Sequence, residues 1–228
     1  MSSLTRDEFD LRQEDIDLFN ELLLIINKGS HLEVSDVETG ETHTLDYSER
    51  LIHVLNSVVY LLTYNQIEAS MRGCIEELYD AINDAGVGYD DLKETIKTEI
   101  LKGLLRNFES GAKLKEKLPV GPLSLSAPST SLNVRKIFNG NIKLESIREV
   151  IDKYDVNTTF PPNCRDGQDI DKFKYARNHL AHGVETFSRY GSSNTTSEVI
   201  DMSERASLYV KTVVDSFAQY TSNQDYKA

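Results

Sequence analysis

Apolar residues along this chain recur mostly at three- and four-residue steps, the spacing that gathers them on one face of an α-helix. Between Asp7 and Lys28, the residues Phe9, Ile16, Phe19, Leu22, Leu23 and Ile26 keep that period, and Gly29 supplies a stop. From Ser48 to about Ala85 the same period runs through Leu51, Val54, Leu55, Val58, Leu61, Leu62, Ile67, Met71, Ile75, Leu78, Tyr79 and Ile82 before Gly86 closes it. That length predicts a spine helix in a bundle. Further helices are expected from Asp90 or Asp91 to about Phe108, from Asp171 to His182 with an extension towards Phe187, and from Ser197 to about Tyr220. Residues 133–156 read as a short helix, a turn at Asn139–Gly140, and a second helix.

Two stretches break the helical period. Leu32–Val37 and Glu41–Leu45 favour extended backbone and flank Thr39–Gly40, so a small β-hairpin is expected there. Glu109 to Asn133 carries three prolines and several serines, and reads as a loop. The fold class is therefore all-α: a helical bundle with a long spine helix, a loop insertion and a small β-hairpin near the N-terminus. In domain terms, residues 1–46 form an acidic helix-and-hairpin appendage, and 47–228 the helical domain, with 108–133 as a flexible insertion.

Charge changes this picture in one respect. The net charge is −12, but residues 1–50 hold 13 acidic against 4 basic side chains, leaving the rest nearly balanced. The acidity belongs mainly to the N-terminal segment, and no broad basic face is in prospect, which argues against non-specific nucleic-acid binding. The start of the chain has no apolar core of a secretory signal, and no apolar run is long enough to cross a bilayer. Cys74 and Cys164 have neither metal-ligand spacing nor the makings of a disulfide framework. A soluble, cytoplasmic protein with no membrane association follows. There is no Gly-rich phosphate loop or dinucleotide fingerprint, and no cofactor or metal is expected.

The candidate chemistry lies in Arg177-Asn-His-Leu-Ala-His182. On a helix, Asp171, Tyr175, Asn178 and His182 fall on one polar stripe, opposite Phe173, Ala176 and Leu180. Asn178 and His182 are an i,i+4 pair, and Arg177 is long enough to reach the same volume. The bland reading is a solvated polar face. His179 and His182 are spaced to share a metal, but no further ligands accompany them. Glu68 and Arg72 form an i,i+4 pair inside the spine helix, read either as a simple salt bridge or as a source of an acid for Arg177 or His182.

The spacing of Arg177 and His182 resembles the R-x-x-x-x-H motif of the HEPN superfamily of helical domains, with Asn178 matching the polar residue often found after the arginine. Residues 58–82, 132–154 and 216–226 also look like stand-alone HEPN proteins classed as nucleases, so the resemblance covers about 48–226. It implies a metal-independent endoribonuclease, active as a homodimer with a composite site, serving as a toxin or antiviral effector. RNA would be cleaved by its own 2′-hydroxyl. Histidine has the unperturbed pKa for the proton transfers, and an arginine fork suits the phosphorane charge. Arg177, His182, Asn178 and Glu68 are then the catalytic candidates, with His179, Lys174 and Tyr175 on the substrate side. The expected partners are RNA, a second copy of the chain, and an antitoxin or other regulatory protein, the acidic N-terminal helix being an alternative mask. The competing reading is a non-catalytic helical module that binds RNA, a nucleotide or a protein.

Overall fold

The computed structural model describes residues 3–109, 123–131, 138 and 141–228. Helix α1 spans Leu4–Lys28, strands β1 (His31–Ser35) and β2 (Thr42–Asp46) follow, and α2 spans Glu49–Asp84. After a 3-10 turn at Tyr89–Asp91 come α3 (Glu94–Glu109), α4 (Leu123–Ser131) and α5 (Leu144–Tyr154). A second 3-10 segment, Pro162–Gly167, precedes α6 (Ile170–Ala181), α7 (Phe187–Gly191) and α8 (Thr196–Ser222). The fold is all-α with one small hairpin, as the hydrophobic period predicts. Among the described residues no helix is long and apolar enough to cross a membrane.

The hairpin pairs antiparallel, with His31 opposite Asp46 and Ser35 opposite Thr42. Its turn is built by Asp36, whose carboxylate accepts from the backbone N–H of Glu38 (2.8 Å) and Thr39 (2.9 Å), while Gly40 takes φ +72°. Those donors favour the charged carboxylate, so the Asp36 pKa lies below its ordinary value.

The chain divides into two compact units. One comprises residues 1–9, 68–161 and 209–228, and the other residues 10–67 and 162–208. The stretch expected to stand apart as an appendage, 1–46, is shared between them.

In the first unit, Met71, Ile75, Leu78 and Ile82 of α2 are buried, as are Ile96 and Ile100 of α3, Ile147 and Tyr154 of α5, and Val213 and Phe217 of α8. The N-terminus of the chain is fastened here by Glu77, which accepts from Ser3 Oγ and the Thr5 backbone N–H, both at 2.9 Å. The segment expected to be a loop by composition contains α4, with Pro128 inside it. Tertiary packing overrides the composition: Ser126, Ala127 and Ser131 are buried, and a Cβ at Gly103 of α3 would lie 2.5 Å from the Ser131 carbonyl oxygen. The first of the two helices expected in 133–156, and the Asn139–Gly140 turn, lie outside the described residues, as do Lys113, Lys115 and Lys117; the second helix is α5.

In the second unit, the buried side chains are Ile16, Leu23 and Ile26 of α1, Val59, Tyr60, Tyr64 and Ile67 of α2, Ile170, Phe173, Ala176 and Leu180 of α6, and Val199, Met202 and Ala206 of α8. Several polar groups in this core bond to one another. Ser207 Oγ donates to Gln66 Oε1 (2.8 Å), Gln66 Nε2 to Gln13 Oε1 (2.9 Å), and the Thr63 and Ser203 hydroxyls lie 2.7 Å apart.

Candidate active site

Helix α6 carries the Arg177–His182 motif, and both of its ends are fixed by identifiable groups. At the start, the Asp169 carboxylate, 3% exposed, meets Arg205 Nε of α8 at 2.7 Å and Lys172 Nζ at 2.7 Å. Burial alone would push the Asp169 carboxyl up, but the two cations outweigh it and hold the pKa below its ordinary value.

At the other end, the helix stops at Ala181 with His182 as C-cap. Gly183 takes φ +65°, its N–H bonds to Leu180 O (3.3 Å), and the Val184 N–H bonds to His179 O (2.9 Å). This is a Schellman closure, and only a residue tolerant of a left-handed backbone can sit at 183. The expected extension towards Phe187 is therefore cut short, and residues 187–191 form the separate helix α7.

The spine helix supplies the floor. Arg177 Nη2 donates to Tyr64 Oη at 2.9 Å, and its Cζ lies 4.6 Å from the centre of the same ring. Tyr64 is fully buried, so the guanidinium gains both a hydrogen bond and a cation–π contact beside a low-dielectric wall. One turn earlier, Tyr60 packs its ring against Phe173 (centroids 5.4 Å apart) and edge-on to Tyr190 (5.3 Å). Burial pushes the Tyr60 pKa up to about 12, although Asn194 Nδ2 donates to its oxygen at 3.0 Å. Asn56 Nδ2 donates to Gly191 O (3.2 Å) and Ser57 Oγ to Phe187 O (2.6 Å), which fastens α7 onto α2. The approach at Gly191 is so close that a Cβ there would overlap the His53 carbonyl oxygen.

The two histidines have different surroundings. His179 Nδ1 lies 3.3 Å from Glu185 Oε1, and its ring is 3.9 Å from the Tyr175 ring at a tilt of 34°. His182 is exposed and, among the described residues, its ring has no hydrogen-bonding partner. Its backbone N–H bonds to Asn178 O at 3.1 Å. Asn178 Oδ1 is shielded from solvent without a hydrogen-bond partner. Tyr175 is 56% exposed, and Lys174 is half-buried. Glu68 pairs with Arg72 at 2.5 Å and belongs to the other unit.

Tyr60, Tyr64, Glu185 and Tyr190 were not singled out from the sequence as site residues. The i,i+4 tyrosines of α2 were the available signal for the first two, masked by their place in an apolar run. The cavity of about 530 Å³ between α2 and the start of α8 is lined by none of the motif residues. Its helix N-terminus is already closed by a capping box, in which Thr195 N–H donates to Glu198 Oε2 (2.8 Å) and Glu198 N–H to Thr195 Oγ1 (3.3 Å). Glu49 and Glu198 make that cavity acidic.

An all-helical chain with an R-x-x-x-x-H motif at the end of a short helix, its arginine seated on a spine helix, defines a HEPN-type domain. A sequence model of the HEPN_MAE_28990-like HEPN family matches residues 1–226, and the chain belongs to that family. The match includes the N-terminal helix and hairpin, which the motif resemblance had covered less clearly. No curated protein and no solved structure matches the chain.

Proposed function

We propose that this protein is a metal-independent endoribonuclease that cleaves RNA through attack of the 2′-hydroxyl, acting as a homodimer in a toxin or antiviral role. The observation that carries the reading is the seating of Arg177 on Tyr64, five residues before an exposed His182 at the helix end. An arginine guanidinium suits the non-bridging oxygens of a phosphate, where charge grows in the transition state. His182 is free to exchange protons with the 2′-hydroxyl or the 5′-oxygen.

In-line cleavage wants a group at each of those oxygens. A second copy related by a two-fold axis would bring the second histidine, which is the chemical reason for a homodimer. Asn178 holds the phosphate or orients His182, and the exposed Tyr175 ring against His179 offers a face for a base, with Lys174 nearby in sequence. Glu68 is assigned as a supporting acid on the family resemblance, and Glu68→Gln tests it separately. An antitoxin or other regulator is a further partner of this reading.

The test is incubation of the protein with RNA in excess EDTA. Cleavage leaving 2′,3′-cyclic phosphate ends, lost in Arg177→Ala and in His182→Ala, is the expected result. Activity surviving in both variants overturns the assignment. The net charge of −12 favours one competing reading, a non-catalytic binding module, which predicts RNA or protein binding with no cleavage under any of these conditions.

A further inference from the structure

Glu185 lies beyond the stop of α6, yet it meets a side chain inside that helix. Between the two, Gly183 turns the chain back with φ +65°, and the Val184 N–H bonds to His179 O at 2.9 Å. Just past Glu185, Thr186 caps α7 by accepting from the Arg189 N–H at 3.3 Å. Held between these two backbone features, the Glu185 carboxylate comes within 3.3 Å of His179 Nδ1. The two side chains are 20% and 30% exposed for His179 and Glu185, and a pair so open to water adds little to stability.

Its effect on the imidazole is more definite. A carboxylate accepts hydrogen bonds and donates none, so in the neutral ring the proton sits on Nδ1 and Nε2 carries the lone pair. Among the described residues Nε2 has no hydrogen-bond partner, and it is not shut off from solvent. Tyr175 lies 3.9 Å from the ring and Tyr190 6.2 Å, the latter packed edge-on against Tyr60. The result is a hydrogen-bond acceptor of fixed direction beside an aromatic ring that is 56% exposed.

We propose that Glu185 is a positioning residue: it holds His179 in the Nδ1–H tautomer, so that Nε2 accepts a hydrogen bond from an RNA nucleoside stacked on Tyr175. The identity of the ligand rests on the nuclease reading, and the tautomer rests on the geometry of the turn. The donor is an N–H of a base edge or the O–H of a ribose 2′-hydroxyl. Phosphate oxygens only accept, so this acceptor turns them away, leaving phosphate to Arg177 and the nucleoside to His179.

In long-range 1H–15N spectra of the full chain at pH 8, His179 is expected in the Nδ1–H form, shifting towards the Nε2–H form in Glu185→Ala. On an RNA substrate Glu185→Ala should raise KM about three- to tenfold, the worth of one hydrogen bond, with kcat within about twofold of the wild type. Glu185→Gln still offers the Nδ1–H a carbonyl oxygen and should restore most of the loss, which a pairing of charges would not allow. In a His179→Ala background Glu185→Ala should have no further effect, since it acts through the histidine.

A short 2′-O-methyl oligonucleotide, which has no ribose hydroxyl and is not cleaved, separates the two donors by fluorescence anisotropy. Weaker binding to it in Glu185→Ala assigns the donor to a base, and a loss confined to RNA assigns it to the 2′-hydroxyl. The Nε2–H form in the wild type overturns the proposal whether or not RNA is cleaved. So does an unchanged KM in Glu185→Ala when the wild type cleaves RNA, and the nuclease reading then stands. If the wild type cleaves no RNA, that reading falls by itself, and equal binding of RNA by wild type and Glu185→Ala overturns this one as well.

Discussion

Arg177 is held by a tyrosine from the spine helix: Nη2 donates to Tyr64 Oη at 2.9 Å while the guanidinium lies over the ring, 4.6 Å from its centre. The hydrogen bond and the ring contact can be separated by mutation. Tyr64→Phe keeps the ring and removes the bond, and is expected to lower kcat/KM for RNA roughly tenfold, the value of one hydrogen bond to a charged group. The melting temperature should change little, because the buried volume is kept. Tyr64→Ala should instead destabilise the fold by about 3–5 kcal/mol, measured by denaturant unfolding. An unchanged kcat/KM in Tyr64→Phe would mean the hydroxyl does not position the arginine.

The two histidines of the motif should separate kinetically. His182→Ala is expected to reduce cleavage by about 10²-fold or more, the usual contribution of a general acid or base. His179, seated between Tyr175 and Glu185, contacts substrate on this reading, so His179→Ala should raise KM more than it lowers kcat. Steady-state kinetics on a short RNA decides between the two assignments. The reverse pattern would make the Glu185-oriented histidine the proton-transfer group.

Asp169 ties α6 to α8, and its stability contribution has a definite pH dependence. Its pKa is lowered in the folded protein by Arg205 and Lys172. The contribution is therefore complete above the unfolded value, about 3.9, and is lost as pH falls below that towards the folded value. Asp169→Asn should destabilise by about 3 kcal/mol at pH 7, since it leaves Arg205 facing a neutral partner in a mostly buried site. The gap in melting temperature between the wild type and Asp169→Asn should narrow as the pH falls below about 4. A constant gap would show that this ion pair is not what the substitution removes.

Gly191 is required by the closeness of α7 to α2. Gly191→Ala places a methyl group on the His53 carbonyl and should cost about 1–3 kcal/mol, with the hydrogen bonds from Asn56 and Ser57 strained at the same time. Urea unfolding measures it. A neutral effect would mean that the α7 segment moves off α2 without loss.

The hydrophobic period by itself determined the helices. A repeat of three and four residues leaves one way to bury its apolar face, so α1, α2, α3, α6 and α8 were legible to within a few residues at each end. The hairpin was legible too, because Thr39–Gly40 between two β-favouring runs is a local signal that needs no tertiary partner. The motif was visible because Arg177 and His182 are close in sequence.

What only the tertiary structure decided were relations between residues far apart in the chain. Tyr64 meets Arg177 across 113 positions, and nothing in an apolar helical run marks one tyrosine as the seat of an arginine. Helix α4 forms against its composition because Gly103 lets it approach α3, a close contact that a proline-rich stretch does not announce. The buried and exposed leucines of α1 obey the same period, so their spacing could not say which face the core would take. Packing made that choice, because a core can cover only one side of a helix at its surface.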